Sequence, residues 1–247
     1  MTTTFYAPPD SIHGERLVLP EDEARHAVRV LRKRAGDEIV VVDGTGGWYR
    51  VRLDRVGQEK AMGTVLETRR GVGEPPYRLV IGLGLLKNRN RFETFVEKAV
   101  ELGVSEIVPL RTARTEKQGL KVERAKSILT AAMKQCGRSC LPSLAEPTPL
   151  PDVLDAGGYD AALIAHERAS EGPSIDPALA AAPASARVLV LVGPEGGFTD
   201  DEVAQAVASG CTPVSLGPRR LRAETAGVAA AVAVHLALAP AGSPYSL

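Results

Sequence analysis

Six residues in a row, Arg187-Val188-Leu189-Val190-Leu191-Val192, break directly into Gly193-Pro194-Glu195-Gly196-Gly197-Phe198. A continuous run of β-branched residues and leucine, without polar alternation, reads as a strand buried on both faces, as in parallel sheets covered by helices. Further on, a second short strand runs into Leu216-Gly217-Pro218-Arg219-Arg220-Leu221-Arg222-Ala223-Glu224-Thr225-Ala226. An α/β sheet binds its ligand in loops of this kind, at the carboxyl ends of parallel strands. Glycine there lets bare backbone approach a ligand that a Cβ would obstruct. The glycine spacing fits neither a Walker A loop nor the G-x-G-x-x-G fingerprint. Thr199-Asp200-Asp201-Glu202 reads as a capping box and needs no chemical role.

The rest of the chain supports two domains, 1–72 and 73–247. From Tyr77 onward strands are expected at 78–85, 106–110, 161–166, 188–192 and 213–216. Helices are expected at 91–102, 122–136, 200–209 and 223–239, an alternation that argues for a parallel sheet. Before residue 72 short strands are expected at 16–19, 38–43, 48–56 and 61–67, with a hairpin signal at Asp43-Gly44-Thr45-Gly46-Gly47. One helix from Glu21 to about Arg34 interrupts them, with Ala24, Val28 and Leu31 as its apolar stripe. Together these read as a small β-barrel with one helix. Gly71-Val72-Gly73-Glu74-Pro75-Pro76 reads as a linker. The last helix is apolar nearly all round, so it is buried within its domain or against a second subunit.

The chain has 247 residues and a net charge of zero, which hides an asymmetry. Residues 78–138 carry thirteen Lys or Arg against six Asp or Glu, a balance of +7; residues 139–247 carry five against twelve, or −7. A nucleic-acid binder needs positive charge only on the surface that meets phosphate. The middle segment is therefore a candidate RNA face; the alternative is ordinary solvation of helix surfaces. Arg32-Lys33-Arg34 are explained by the helix carboxyl end, where cations are favourable. Arg25 and Arg29 lie too early for that and have no acids beside them on that face in this reading, which makes them candidate RNA contacts. Cys136, Cys140 and Cys211 lack zinc-site spacing, so no metal is expected and the thiols suit a reducing cytoplasm. No stretch is apolar enough to span a membrane and no signal-peptide pattern opens the chain, so a cytoplasmic protein without a membrane partner is expected.

GPEGGFTDDE followed by LGPRRLRAETA resembles the SPOUT superfamily of methyltransferases, in particular its members that methylate N3 of a uridine in 16S ribosomal RNA. The resemblance extends through EKAVELGVSEIVPL (residues 97–110), KQCGRS (134–139) and LVLPEDEARHAVRVLRKRAGDEI near the amino terminus. It implies a trefoil-knotted α/β methyltransferase domain, a PUA-like RNA-binding domain before it, and a homodimer. It also implies S-adenosylmethionine as methyl donor, and 16S ribosomal RNA of the small ribosomal subunit as partner. The cofactor loops would start near His166, at Gly193, Glu195, Gly196 and Gly197, and at Leu216, Gly217 and Leu221. Glu195 either favours the sulfonium cation or holds its loop in shape; His166 is either a contact or a structural histidine.

Methylation at N3 poses a definite problem, because that nitrogen carries a proton at neutral pH and is a poor nucleophile until it is lost. Arg222 is the expected donor to the resulting uracil anion, since its guanidinium stays charged. Glu224 either orients Arg222 or takes the proton itself. Arg25, Arg29, Arg91 and Arg138 are the expected RNA contacts, Arg138 because it lies in KQCGRS. The two-loop motif alone also permits another base or a ribose hydroxyl as target, and a non-catalytic RNA-binding protein of the same fold is the alternative of a different class.

Overall fold

The computed structural model describes residues 3–57, 59–116, 119–166 and 172–238. The chain divides into two compact units. The first comprises residues up to Glu74 together with Thr130–Leu141, and the second Pro75–Leu129 with everything from Pro142 onward.

In the first unit, six strands form one sheet: β1 (Thr4–Tyr6), β2 (Ile12–His13), β3 (Arg16–Leu19), β4 (Glu38–Val42), β5 (Gly47–Val56) and β6 (Ala61–Arg70). Their order is β1-β4-β5-β6-β3-β2, with β1 parallel to β4 and every other pairing antiparallel. Alternate residues, among them Ile39, Val41, Val51 and Leu53, turn inward and meet Phe5, Leu17 and Leu19 in a closed core. Helix α1 (Glu21–Arg25) does not run on as a regular helix to Arg34. It widens into one π-turn, His26–Val30, closed by the bond from Leu31 N to His26 O at 3.2 Å. The added residue in the turn shifts the buried stripe to Ala24 and Ala27 and leaves Val30 67% exposed. Arg32 then takes a left-handed φ of 53° and ends the element. Glu23, in the first turn of α1, is buried and pairs with Lys134.

The turn between β4 and β5 is organised by a buried carboxylate. Asp43 Oδ1 accepts from Thr45 N at 2.7 Å, Thr45 Oγ1 at 2.9 Å and Gly47 N at 2.8 Å, while Oδ2 accepts from the Tyr49 hydroxyl at 3.0 Å. Burial works to raise the pKa of this carboxyl, but the four hydrogen bonds to its ionised form outweigh burial and hold the pKa below the ordinary value. A depressed carboxyl contributes stability that is fully present above its unfolded-state pKa, near 3.9. That contribution is lost as pH falls toward the lower folded value. Urea titrations between neutral pH and about pH 3 should therefore show wild type losing stability more steeply than an Asp43→Asn variant, which lacks the titrating group. Parallel pH dependences would refute this assignment.

The second unit is a parallel sheet of seven strands: β7 (Arg78–Gly84), β8 (Val104–Arg111), β9 (Ser143–Leu144), β10 (Thr148–Pro149), β11 (Ala161–Ala165), β12 (Arg187–Val192) and β13 (Thr212–Val214). The order is β10-β8-β7-β12-β11-β13, with β9 also paired to β8, and every pairing is parallel. β12 lies inside the sheet and Val188 through Val192 are all buried, as its unbroken apolar run requires. The helices are α2 (Arg89–Glu101), α3 (Val122–Cys136, its first eight residues in this unit), α4 (Leu150–Ala156), α5 (Ile175–Leu179), α6 (Asp200–Ala208) and α7 (Ala223–Leu238). β9, β10, α4 and α5 were not expected; each is too short to set up a periodicity. Residue 239, the expected end of the last helix, lies outside the described residues. α7 packs on α2 through Gly227, where a Cβ would stand 2.6 Å from Phe95 Cε2. Among the described residues no helix is long and apolar enough to cross a membrane.

Candidate active site

The parallel register sets the ends of three strands level, with Ala165 beside Val192 on one side and beside Val214 on the other. The chain leaves β11 at His166, β12 at Gly193 and β13 at Ser215, and the three exits enclose a cavity of about 360 Å³. His166, Gly193, Glu195, Gly196, Gly197, Leu216, Gly217 and Leu221 all line it, as do Arg91, Arg219, Arg220 and Arg222. A cleft of this size, with bare backbone on one wall and leucines on another, lies in the range that holds a compact organic ligand. Two glycines are required by geometry. A Cβ on Gly84, the last residue of β7, would stand 2.3 Å from Pro194 N, so the loop after β12 presses directly on the sheet. Gly217 has a φ of +104°, which gives the turn after Leu216 a conformation that side chains disfavour.

The loop after β12 is held from outside. Arg114 Nη1 donates to Gly196 O at 2.6 Å and to Phe198 O at 3.2 Å, and its methylenes lie over Gly196. Glu202 closes the expected capping box with Thr199 and also accepts from Ala113 N at 2.7 Å. Lys87 N donates to Glu195 Oε1 at 3.2 Å, so this carboxylate both lines the cavity and fastens its loop to the residues after β7. Arg114 lies in the basic middle segment of the sequence; its carbonyl partners lie 82 and 84 residues away, and no local pattern signals them. Replacing Arg114 with Gln removes a charge-assisted donor worth about 1.5–3 kcal/mol when desolvated and less at this exposed position. We expect ligand affinity at the cavity to fall about tenfold in calorimetry, with RNA affinity unchanged; the opposite pattern would make Arg114 a phosphate contact.

Two of the remaining candidates stand elsewhere than expected. Glu224 does not line the cavity and its partner is not Arg222; its Oε1 lies 3.6 Å from Arg91 Nε, across from the start of α2. Arg138 is only 3% exposed. Its Nη2 and Nε donate to Glu74 Oε2 at 2.7 and 3.2 Å, while Glu74 Oε1 accepts from Ser139 N and Cys140 N at 3.1 and 2.8 Å. A guanidinium buried against its own carboxylate is part of the fold, and Arg138 is removed from the RNA contacts. Arg29 is exposed. Arg25 is exposed too, but an acid does stand beside it: it pairs with Glu21 one turn earlier. Such a surface pair is worth at most about 1 kcal/mol and exchanges readily for another anion.

A sequence profile described as RNA methyltransferase domain matches residues 73–235, and one described as RNA methyltransferase PUA domain matches residues 19–61. The Synechocystis protein named Ribosomal RNA small subunit methyltransferase E is 33% identical over 234 residues, covering 93% of this chain and 76% of that protein. A crystal structure of a probable rRNA-methyltransferase from Porphyromonas gingivalis aligns with a TM-score of 0.84 at 33% identity, over 96% of this chain and 98% of that one. The Ribosomal RNA small subunit methyltransferase E of Neisseria gonorrhoeae, solved bound to S-adenosyl methionine, aligns with a TM-score of 0.83 at 29% identity and the same coverage. The expected fold class, a parallel-sheet α/β methyltransferase domain with a PUA-like domain before it, is what these matches have in common with this chain. The chain belongs to the RNA methyltransferase family, among the ribosomal RNA small subunit methyltransferases E.

Proposed function

We propose that this protein transfers the methyl group of S-adenosylmethionine to N3 of a uridine in 16S ribosomal RNA of the small ribosomal subunit. The observation that carries the reading is the convergence of three strand-end loops on one cavity that also collects four arginines. Gly193, Gly196, Gly197 and Gly217 give the bare backbone that an adenine ring needs for hydrogen bonding, and Leu216 and Leu221 give it apolar walls. Glu195 gives a carboxylate for a cationic sulfur, and His166 closes the floor at the end of β11. Bound there, S-adenosylmethionine supplies an activated methyl group.

The chain's own residues have to make the base reactive. N3 sits on the pairing edge, so the uridine must be unpaired or drawn from its stack before it enters the cavity. Losing the N3 proton leaves charge on the two ring oxygens, and Arg222, exposed on the cavity lining, offers that charge a guanidinium that stays protonated. With Glu224 off the cavity wall, water is the proton acceptor in this account. Arg25 and Arg29 are the proposed phosphate contacts of the PUA-like unit. α7 leaves Leu236 74% exposed, with Val232 also exposed beside it, which supports packing against a second copy of the chain in a homodimer. The cytoplasm, where its RNA is made, is the proposed location.

Methyl-labelled S-adenosylmethionine incubated with the protein and small-subunit RNA tests this directly. Nuclease digestion and mass spectrometry should return N3-methyluridine. Label in another base or in a ribose would replace the substrate assignment, and RNA binding without transfer would replace the enzymatic one.

A further inference from the structure

We propose that Arg91 is a catalytic arginine of the methyl transfer and that Glu224 is the residue that positions it. The inference rests on the uridine-methylation reading and sharpens which groups meet the base. Arg91 stands in the first turn of α2 and lines the cavity, with its side chain 34% exposed. Glu224 stands in the first turn of α7, behind the wall, with its side chain 12% exposed.

The pairing is built by the helices beneath it. Arg91 and Phe95 are one turn apart on one face of α2, and Glu224 and Gly227 are three apart on one face of α7. Gly227 has no side chain, so Phe95 seats directly on α7, with Cε2 2.6 Å from where a Cβ would be. That close approach brings the next turn of each helix together and sets Arg91 against Glu224. A core contact thereby fixes the position of a side chain in the cavity.

Arg91 Nε stands 3.6 Å from Glu224 Oε1, which is too long for a hydrogen bond. Both Nη groups are left without a hydrogen bond to any described residue. Glu224 Oε2 is buried and also has no hydrogen-bond partner. A buried carboxylate oxygen without a donor calls for an explanation, and so does a guanidinium that stands beside its acid without a hydrogen bond to it. Both are met if the pair closes when the base arrives: the guanidinium turns until Nε and one Nη engage the two oxygens of Glu224. The other Nη then donates to a ring oxygen of the uracil anion. Two carbonyl oxygens flank N3, and Arg91 and Arg222 come from different elements, so each oxygen has its own cation. The proton leaves N3 to water, the freed electron pair bonds the methyl carbon, and the carbon–sulfur bond breaks with its electrons kept by sulfur.

The experiment compares wild type, Arg91→Met, Arg91→Lys, Glu224→Gln and the Arg91→Met/Glu224→Gln pair. Turnover is measured at saturating RNA and S-adenosylmethionine, and both dissociation constants are measured separately by calorimetry and fluorescence anisotropy. Arg91→Met should lower kcat about 10²-fold, the loss of one oxyanion donor, with both dissociation constants within about twofold of wild type. Arg91→Lys should restore part of that loss. Glu224→Gln should lower kcat less than Arg91→Met does, and the double variant should be no slower than Arg91→Met alone, because Glu224 acts through Arg91. The inference is overturned if Arg91→Met keeps its kcat, if its defect lies in RNA affinity, or if the two losses multiply. Wild type that moves no methyl group to uridine N3 would instead overturn the underlying reading, and this control separates the two failures.

Discussion

Replacing Glu74 with alanine should cost about 3–5 kcal/mol of folding stability, the range found when one partner of a buried ion pair is removed. Glu74 accepts from Arg138 Nε and Nη2, Ser139 N and Cys140 N, while Ser139 N also donates to Val72 O at 3.0 Å. Without it a guanidinium that is 3% exposed loses a carboxylate partner, and Cys140 N loses the carboxylate oxygen it donates to. The buried guanidinium cannot regain its full hydration, so a desolvation penalty follows. Glu74→Gln keeps an acceptor for the backbone N–H groups and gives up the charge, so a smaller loss is expected. Urea denaturation followed by circular dichroism measures both. A loss below about 1 kcal/mol for Glu74→Ala would mean that the pair is solvated like an ordinary surface bridge.

Arg222→Ala should lower kcat for RNA methylation by about 10²–10³-fold, or roughly 2.7–4 kcal/mol of transition-state stabilisation, the cost of losing one preorganised oxyanion donor. S-adenosylmethionine affinity should stay within about twofold, because backbone and leucines make the proposed cofactor contacts. The charge that Arg222 meets exists only once N3 has lost its proton, so the interaction strengthens toward the transition state and appears in kcat rather than in ground-state binding. Arg222→Lys keeps the charge but loses the planar fork, and an intermediate rate is expected. Near-normal turnover in Arg222→Ala would remove this residue from the chemistry and leave Arg91 as the principal cation.

Both predictions show where sequence reading succeeds and where it stops. The buried strand β12, the loop that follows it and the capping box at Thr199 were legible because each is a contiguous pattern with a local physical cause. Strand burial appears as an unbroken apolar run, and the cap as four residues whose groups satisfy one another. The wall of the cavity was legible for the same reason, since its three loops each begin where a readable strand ends. Features made by residues distant in sequence were not legible. KQCGRS marks Arg138 as notable but says nothing of Glu74, which faces it across the unit and turns a surface cation into a buried tie. Glu224 sits two residues from Arg222, which suggested a pair; the helix turn carries it instead toward Arg91 on another element. The π-turn after α1 escaped for a different reason: one added residue shifts the buried stripe without changing the local composition. Charge alone was a poor guide to role, for Arg114 and Arg138 lie in the same basic segment as Arg91 and yet secure the fold.

S-adenosylmethionine titrated into the folded protein by isothermal calorimetry, beside a Gly84→Val variant, tests the central claim most directly. The account predicts a saturable signal of one site per chain in wild type. It predicts loss of that signal in the variant, whose added side chain would collide with Pro194 and push the loop after β12 off the sheet. No heat from well-folded wild type, or undiminished binding by Gly84→Val, would contradict the claim that these strand-end loops form the methyl-donor site.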